Sequence, residues 1–314
     1  MLTSDEVVWG YRYTLGRDPE SNLVLDRHKA AHEDWRQFRD RLLASAEFMH
    51  AHRGRTLPPK WVATDILQGQ RLLWLDLEDA FVSRGCLMDG YEPVESAFVR
   101  ANLREGDVFL DIGANIGWFT MLASTIVGGS GHIHSFEPRK PTVDYLRRSV
   151  QANALSDLIS VHDVGLADRN GEWHLAWAKG TSNPGSSCLM EDAGGANLNT
   201  IAITLQALDD LAIDKVDFIK IDIEGAEMLA MNGGSQTIAR NRPVVMSELH
   251  PKQLHLVSRA SSADYIGWFK RQGYRVFLLE ADRKDELDDF PQFLNKELAN
   301  IVCLPPDRAE LRFG

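Results

Sequence analysis

Val108-Phe-Leu-Asp-Ile-Gly-Ala-Asn-Ile-Gly-Trp-Phe-Thr120 is the stretch on which the fold turns. An apolar strand runs into Asp111-x-Gly113-x-Asn115-x-Gly117 and then into a helix, so two glycines let a ligand approach the backbone at the carboxyl end of a central strand. Open α/β sheets bind ligands at that edge. The spacing is not the G-x-G-x-x-G of dinucleotide enzymes, and an acid at the strand end would face a pyrophosphate badly. Asp111 suits a cationic amino-acid moiety better. The competing reading is a tight turn followed by a helix cap.

Glu137 closes the next apolar run, Ile133-His-Ser-Phe-Glu-Pro138, and is placed to take both hydroxyls of a ribose. Asp163 ends the third run and is a candidate acceptor for an adenine amino group, with a solvated loop aspartate as the alternative. The run Val216-Asp-Phe-Ile-Lys-Ile-Asp-Ile-Glu-Gly-Ala-Glu227 brings Lys220, Asp222, Glu224 and Glu227 to one strand end. Packing alone explains such crowding poorly, because burying unpaired charge is costly. Helix capping is the competing role for Glu224 and Glu227. The fifth run ends Ser247-Glu-Leu-His-Pro251 and adds Glu248 and His250. Asp222, Glu248 and His250 are the candidate catalytic residues, with His250 a general-base candidate.

Seven apolar runs, 107–112, 131–136, 158–164, 216–222, 243–248, 274–279 and 299–304, alternate with helical patterns near 117–127, 140–153, 225–239 and 262–272. That alternation predicts a largely parallel sheet covered on both faces. Residues 170–205 interrupt it with hairpin-like strands at 172–177 and 199–204 around a Gly/Ser/Asn-rich loop. Upstream, 71–77 predicts a strand and 93–103 a helix. Thr3 and Glu6 form a capping box before Val7, Val8, Tyr11 and Leu15, and Trp35, Phe38 and Leu42 repeat at helical spacing. Residues 1–53 therefore predict a small helical module, 54–60 with its two prolines a linker, and 61–314 the ligand-binding domain.

The chain has 314 residues, 44% of them hydrophobic, which is enough for a full globular core. Its net charge of −11 gives no general reason to bind phosphate backbones or anionic lipid, so nucleic acid is not expected as a partner. Residues 1–60 carry 10 Lys and Arg against 9 Asp and Glu, so the acidity belongs to the remainder. Cys86, Cys188 and Cys303 are widely spaced and suggest neither a disulfide framework nor a zinc knuckle; a reducing cytoplasm fits. No secretion signal is read at the N-terminus. The 25 uncharged residues from Ile112 to Phe136 are long enough for a membrane span but are broken by glycines, so no transmembrane segment is expected. The acid-rich 280–290 reads as a solvated loop.

Asp111–Gly117, Phe136-Glu-Pro138, Asn183-Pro-Gly-Ser-Ser187, Leu205 to Asp210 and Lys220–Glu227 together resemble the FkbM family of S-adenosylmethionine-dependent methyltransferases, over roughly residues 70–280. The resemblance implies a class I methyltransferase, an α/β Rossmann-like fold. Its seven-stranded sheet would have an antiparallel last strand and helices on both faces, here preceded by the small all-helical domain. It implies S-adenosylmethionine as cofactor and O-methylation, often of a sugar or glycan hydroxyl. By matched position, Asp111, Gly113, Asn115 and Gly117 fall on the methionine-side motif, Glu137 on the ribose acid, and Glu92 on an acid that approaches the cofactor. Asp222 and Glu248 stand where some small-molecule O-methyltransferases of this fold hold magnesium, so Mg2+ is an option but not the favoured one. Residues 5–53 are similar to a short helical module that accompanies glycan-modifying enzymes, which implies docking to glycan-assembly proteins. The alternatives are a methyltransferase of a small metabolite or amine, and a catalytically idle docking protein.

Overall fold

The computed structural model describes residues 2–15, 17–43, 45–51, 61–76, 79, 81–87, 90–179, 187–190, 197–280, 286–287 and 298–308. The linker expected at 54–60, residues 183–186 of the Asn183–Ser187 loop and most of 280–290 lie outside them. The chain divides into two units, Met1–Thr64 with Asp76–Glu78, and Asp65–Leu75 with Asp79–Gly314.

The first unit carries helices Ser4–Leu15, Asn22–Ala31, Trp35–Leu43 and Ala46–Ala51. The capping box forms: the Thr3 N–H donates to Glu6 Oε2 at 2.6 Å, and the Glu6 N–H donates to Thr3 Oγ1 at 3.3 Å. The apolar stripes meet where Val7, Tyr11, Phe38 and Leu42 are buried together. Helix Asn22–Ala31 buries none of its residues completely and so shows no clear stripe in sequence. It is held by Val24 and Leu25 against the cluster and by a 2.9 Å hydrogen bond between His28 Nε2 and the Tyr11 hydroxyl.

In the second unit the seven apolar runs are seven strands: β1 Val108–Ile112, β2 His132–Phe136, β3 Ile159–His162, β4 Phe218–Ile221, β5 Val244–Leu249, β6 Arg275–Leu278 and β7 Ala299–Leu304. They form one sheet in the order β3-β2-β1-β4-β5-β7-β6. The first five pair parallel, and β7 runs antiparallel to both β5 and β6. β1 and β4 are fully apolar but for Asp111 and Lys220, which sit opposite each other in register. Between β1 and β4 the order of filling reverses, which opens a crevice at their carboxyl ends.

Residues 165–206 build a separate four-stranded sheet from Gly165–Leu166, Gly171–Ala178, Cys188–Met190 and Leu198–Gln206. Its long antiparallel pair runs from Gly171 opposite Leu205 to Ala178 opposite Leu198. The single helix expected over 225–239 is two helices, Glu227–Gly233 and Ser235–Asn241. They break where Gly233 packs so closely on Ala167 that a Cβ would lie 1.9 Å from its carbonyl oxygen.

Candidate active site

The turn after β1 is tied to the end of β2: the N–H groups of Gly113 and Ala114 both donate to Phe136 O, at 3.0 and 2.9 Å. Gly113 has φ +82°, and a Cβ there would fall 1.9 Å from Asp222 O. The glycine is thus demanded by the chain leaving β4 as well as by any ligand. Gly117, at φ +104°, would bring a Cβ to 2.5 Å from Leu146 and does not line the crevice, so packing requires it rather than ligand approach. Glu137 is bound from both sides: Oε2 accepts from the Asn115 N–H at 3.0 Å and Oε1 from the Arg139 N–H at 2.9 Å. Those two bonds fix the carboxylate and leave further acceptor lone pairs on it. Burial pushes its pKa up to about 7, against the pull of the two amides.

A cavity of about 370 Å³ opens here. Gly113, Ala114 and Asn115 line it after β1, Glu137 and Arg139 after β2, Lys220, Asp222 and Glu224 at β4, and Glu248 on β5. Tyr91 and Glu92, just before helix Pro93–Asn102, complete the acidic wall. Lys220 Nζ lies 3.3 Å from Asp222 Oδ2 and 5.0 Å from the centre of the Phe119 ring. Burial alone would lower its pKa, but Asp222, Glu92 and Asp111 outweigh burial and hold the ammonium charged. Burial and the Asp222 charge push Glu248 and Glu224 up, Glu224 to about 7. Burial likewise raises Glu92, with Lys220 opposing.

Three of the lining residues, Glu92, Asn115 and Glu224, hold left-handed backbone at φ 44°, 50° and 52°. Strain of this kind gathers where a site must be held in one geometry. The competition between Glu224 and Glu227 is resolved by position. Glu227 is 2% exposed, and its Oε1 accepts from the N–H groups of Ile223 and Gly225 at 3.0 and 3.2 Å, stapling the loop. That staple leaves Glu224 on the cavity wall. In sequence, helix capping competes for Glu224 as it does for Glu227, and only the staple made by Glu227 tells the two apart.

Several expected residues stand elsewhere. Asp111 is fully buried and does not line the cavity; its Oδ2 accepts from Thr120 Oγ1 at 2.6 Å, which ties it to the helix after β1, while its Oδ1 has no hydrogen-bond partner among the described residues. Asp163 pairs with Arg147 at 3.3 Å on the surface, its side chain half exposed, because β3 ends at His162 and the chain turns outward. His250 is absent from the lining as well: β5 stops at Leu249, and Pro251 starts a helix for which His250 is the N-cap. Asp222 and Glu248 both line the cavity. Among the described residues no group of three or more His, Cys, Asp or Glu side chains is arranged to hold a metal ion.

A seven-stranded sheet of this order, with its last strand antiparallel and its crevice at the ends of β1 and β4, is the class I methyltransferase fold. The Methyltransferase FkbM domain matches residues 111–276, and the chain belongs to that family. Membership implies S-adenosylmethionine as the cofactor against which the residues of the cavity can be tested. A curated relative, the AMB antimetabolite synthetase AmbE of Pseudomonas aeruginosa, is 25% identical over 262 residues, which is 70% of this chain and 12% of that protein. The methyltransferase FkbM structure from Methylobacillus flagellatus KT is 17% identical with a TM-score of 0.40, covering 72% of this chain and 55% of that one. Fibrillarin of Aeropyrum pernix, solved with natively bound S-adenosyl-L-methionine, is 13% identical with a TM-score of 0.38, covering 67% of this chain and 74% of that one. The chain thus spans a small part of the synthetase and about half of the FkbM structure.

The donor set fits the cofactor. Five carboxylates, those of Glu92, Glu137, Asp222, Glu224 and Glu248, line a cavity that holds two cationic side chains, Arg139 and Lys220. That imbalance suits a ligand bringing positive charge, and the fixed Glu137 carboxylate suits a vicinal diol.

Proposed function

We propose that this enzyme methylates a hydroxyl of a sugar or glycan, with Glu137 holding the cofactor ribose and Glu92 and Asp222 meeting its cationic end. When bound, S-adenosylmethionine supplies an electrophilic methyl group on a positively charged sulfur. The chain's own contribution is alignment plus a proton acceptor. The observation that carries this reading is the meeting of Asp222, Glu224 and Glu248 on one wall of the cavity. Asp222 is engaged by Lys220, while the carboxylates of Glu224 and Glu248 have no hydrogen-bond partner among the described residues. A sugar hydroxyl is a poor nucleophile, and a carboxylate raised to about 7, as burial raises Glu224, accepts its proton better than an ordinary one.

The purified protein, given methyl-labelled S-adenosylmethionine and a panel of sugars, glycans, amines and phenols, is expected to yield an O-methyl sugar by mass spectrometry. Methylation confined to amines or phenols would overturn the reading. A small-metabolite acceptor is the second reading, and the likeness to the antimetabolite synthetase supports it. Residues 1–53 we assign to docking on glycan-assembly proteins, on the strength of their similarity to modules attached to such enzymes. A cytoplasmic setting is supported by three free cysteines; among the described residues no helix is long and apolar enough to cross a membrane.

A further inference from the structure

We propose that Phe81 is the stacking platform for the acceptor, taking the C–H face of a sugar ring whose hydroxyl edge meets the carboxylates of the cavity. The inference rests on the sugar reading above. Phe81 is 58% exposed and lines the same cavity as Asp222, Glu224 and Glu248. Among the described residues the other large exposed apolar side chains are Leu23, Leu256 and Leu298, and none of them lines it. An aromatic ring exposed at the wall of a site offers a flat apolar surface that the apolar face of a ligand can cover.

Nor is the backbone beneath this ring loose. The N–H groups of Phe81, Val82 and Ser83 all donate to the carboxylate of Asp79, at 3.0, 3.3 and 2.9 Å, and Asp79 is itself only 8% exposed. A ring on a backbone already fixed loses little further freedom when a ligand lands on it. The combination of flat apolar surface and several carboxylates matches a pyranose, which carries C–H groups on its faces and hydroxyls around its rim. A simple aliphatic amine would use the carboxylates and leave the ring uncovered.

The test uses the full chain and methyl glycosides of common hexoses and deoxyhexoses as probes, with S-adenosylhomocysteine present for saturation-transfer NMR and S-adenosylmethionine as methyl donor for steady-state kinetics. Wild-type protein is expected to transfer saturation to C–H protons of one face of a bound glycoside. Phe81→Ala should remove that transfer and raise the acceptor KM about tenfold, Phe81→Leu should do nearly the same, and Phe81→Trp should restore binding. Calorimetry with S-adenosylhomocysteine should give one cofactor affinity for all four proteins. Glycosides that bind and react equally well with Phe81→Ala would overturn the platform while leaving the sugar reading intact. A wild-type enzyme that methylates only amines or phenols would overturn both. Loss of cofactor affinity in Phe81→Ala would also overturn the proposal, because it would put the ring at the cofactor end.

Discussion

At the scale of single residues, Glu137 is the group most firmly committed to a ligand, since both of its oxygens already accept a backbone N–H before any ligand arrives. Replacing it with Ala should weaken S-adenosylhomocysteine binding by about 1–3 kcal/mol through lost charge-assisted hydrogen bonds, read by calorimetry. Its pKa near 7 adds a pH signature. A diol donates to the ionised form, so affinity should rise with pH through about 7 and binding should release a proton, seen by repeating the titration in buffers of different ionisation enthalpy. In catalysis, Glu248→Gln should cut turnover about 10²–10⁴-fold with cofactor affinity retained, whereas Asp222→Asn should cut turnover and weaken cofactor binding together. His250→Ala should stay close to wild type, because His250 stands at the N-cap position of helix Pro251–Ser258 and does not line the cavity. If Asp222 and Glu248 instead work through a metal, a chelator should abolish turnover and magnesium should restore it.

At the scale of elements, strands and the longer helices followed from periodicity, because burial on one face leaves its mark in the residue pattern. The Thr3–Glu6 cap was legible for a similar reason: both partners lie within one turn. The cap of helix Ser235–Asn241 was not legible. Its N–H donors at Gln236 and Thr237 bond to Asp209, at 3.0 and 2.8 Å, from a segment 27 residues earlier. Asp209→Ala should therefore destabilise the protein by about 1 kcal/mol and lower the melting temperature by about 2–4 °C in calorimetric scans. Helix Pro251–Ser258 escaped notice too, and with it the turn that removes His250 from the site. The loop from Asp222 to Glu227 shows the same limit, because which of two nearby glutamates becomes staple and which becomes wall depends on backbone geometry at φ 52°.

At the scale of the whole molecule, the cost of assembling so many carboxylates should show in its stability. Glu137, Glu224 and Glu227 each rise from 4.5 to about 7 on folding, chiefly by burial. Between those values the folded chain holds protons that the unfolded chain has lost, so stability should fall as pH rises from about 4.5 to 7, by up to roughly 1.4 kcal/mol per pH unit for each group. Thermal scans of the cofactor-free protein across that range check the sign, and saturating S-adenosylhomocysteine should recover stability by mass action. The N-terminal helices should also be dispensable: a chain beginning near residue 58, which keeps the whole of strand Trp61–Ile66, is expected to melt cooperatively and bind cofactor. The sequence by itself determined the parallel sheet, the edge at which it binds and the acids gathered there, since strand periodicity and strand-end position are local properties of the chain. Only the tertiary structure decided which of those acids reach the cavity. Asp111 turns inward to Thr120, Asp163 pairs outward with Arg147, and Glu224 enters the wall, because side-chain direction at a strand end is set by the neighbouring elements that pack against it.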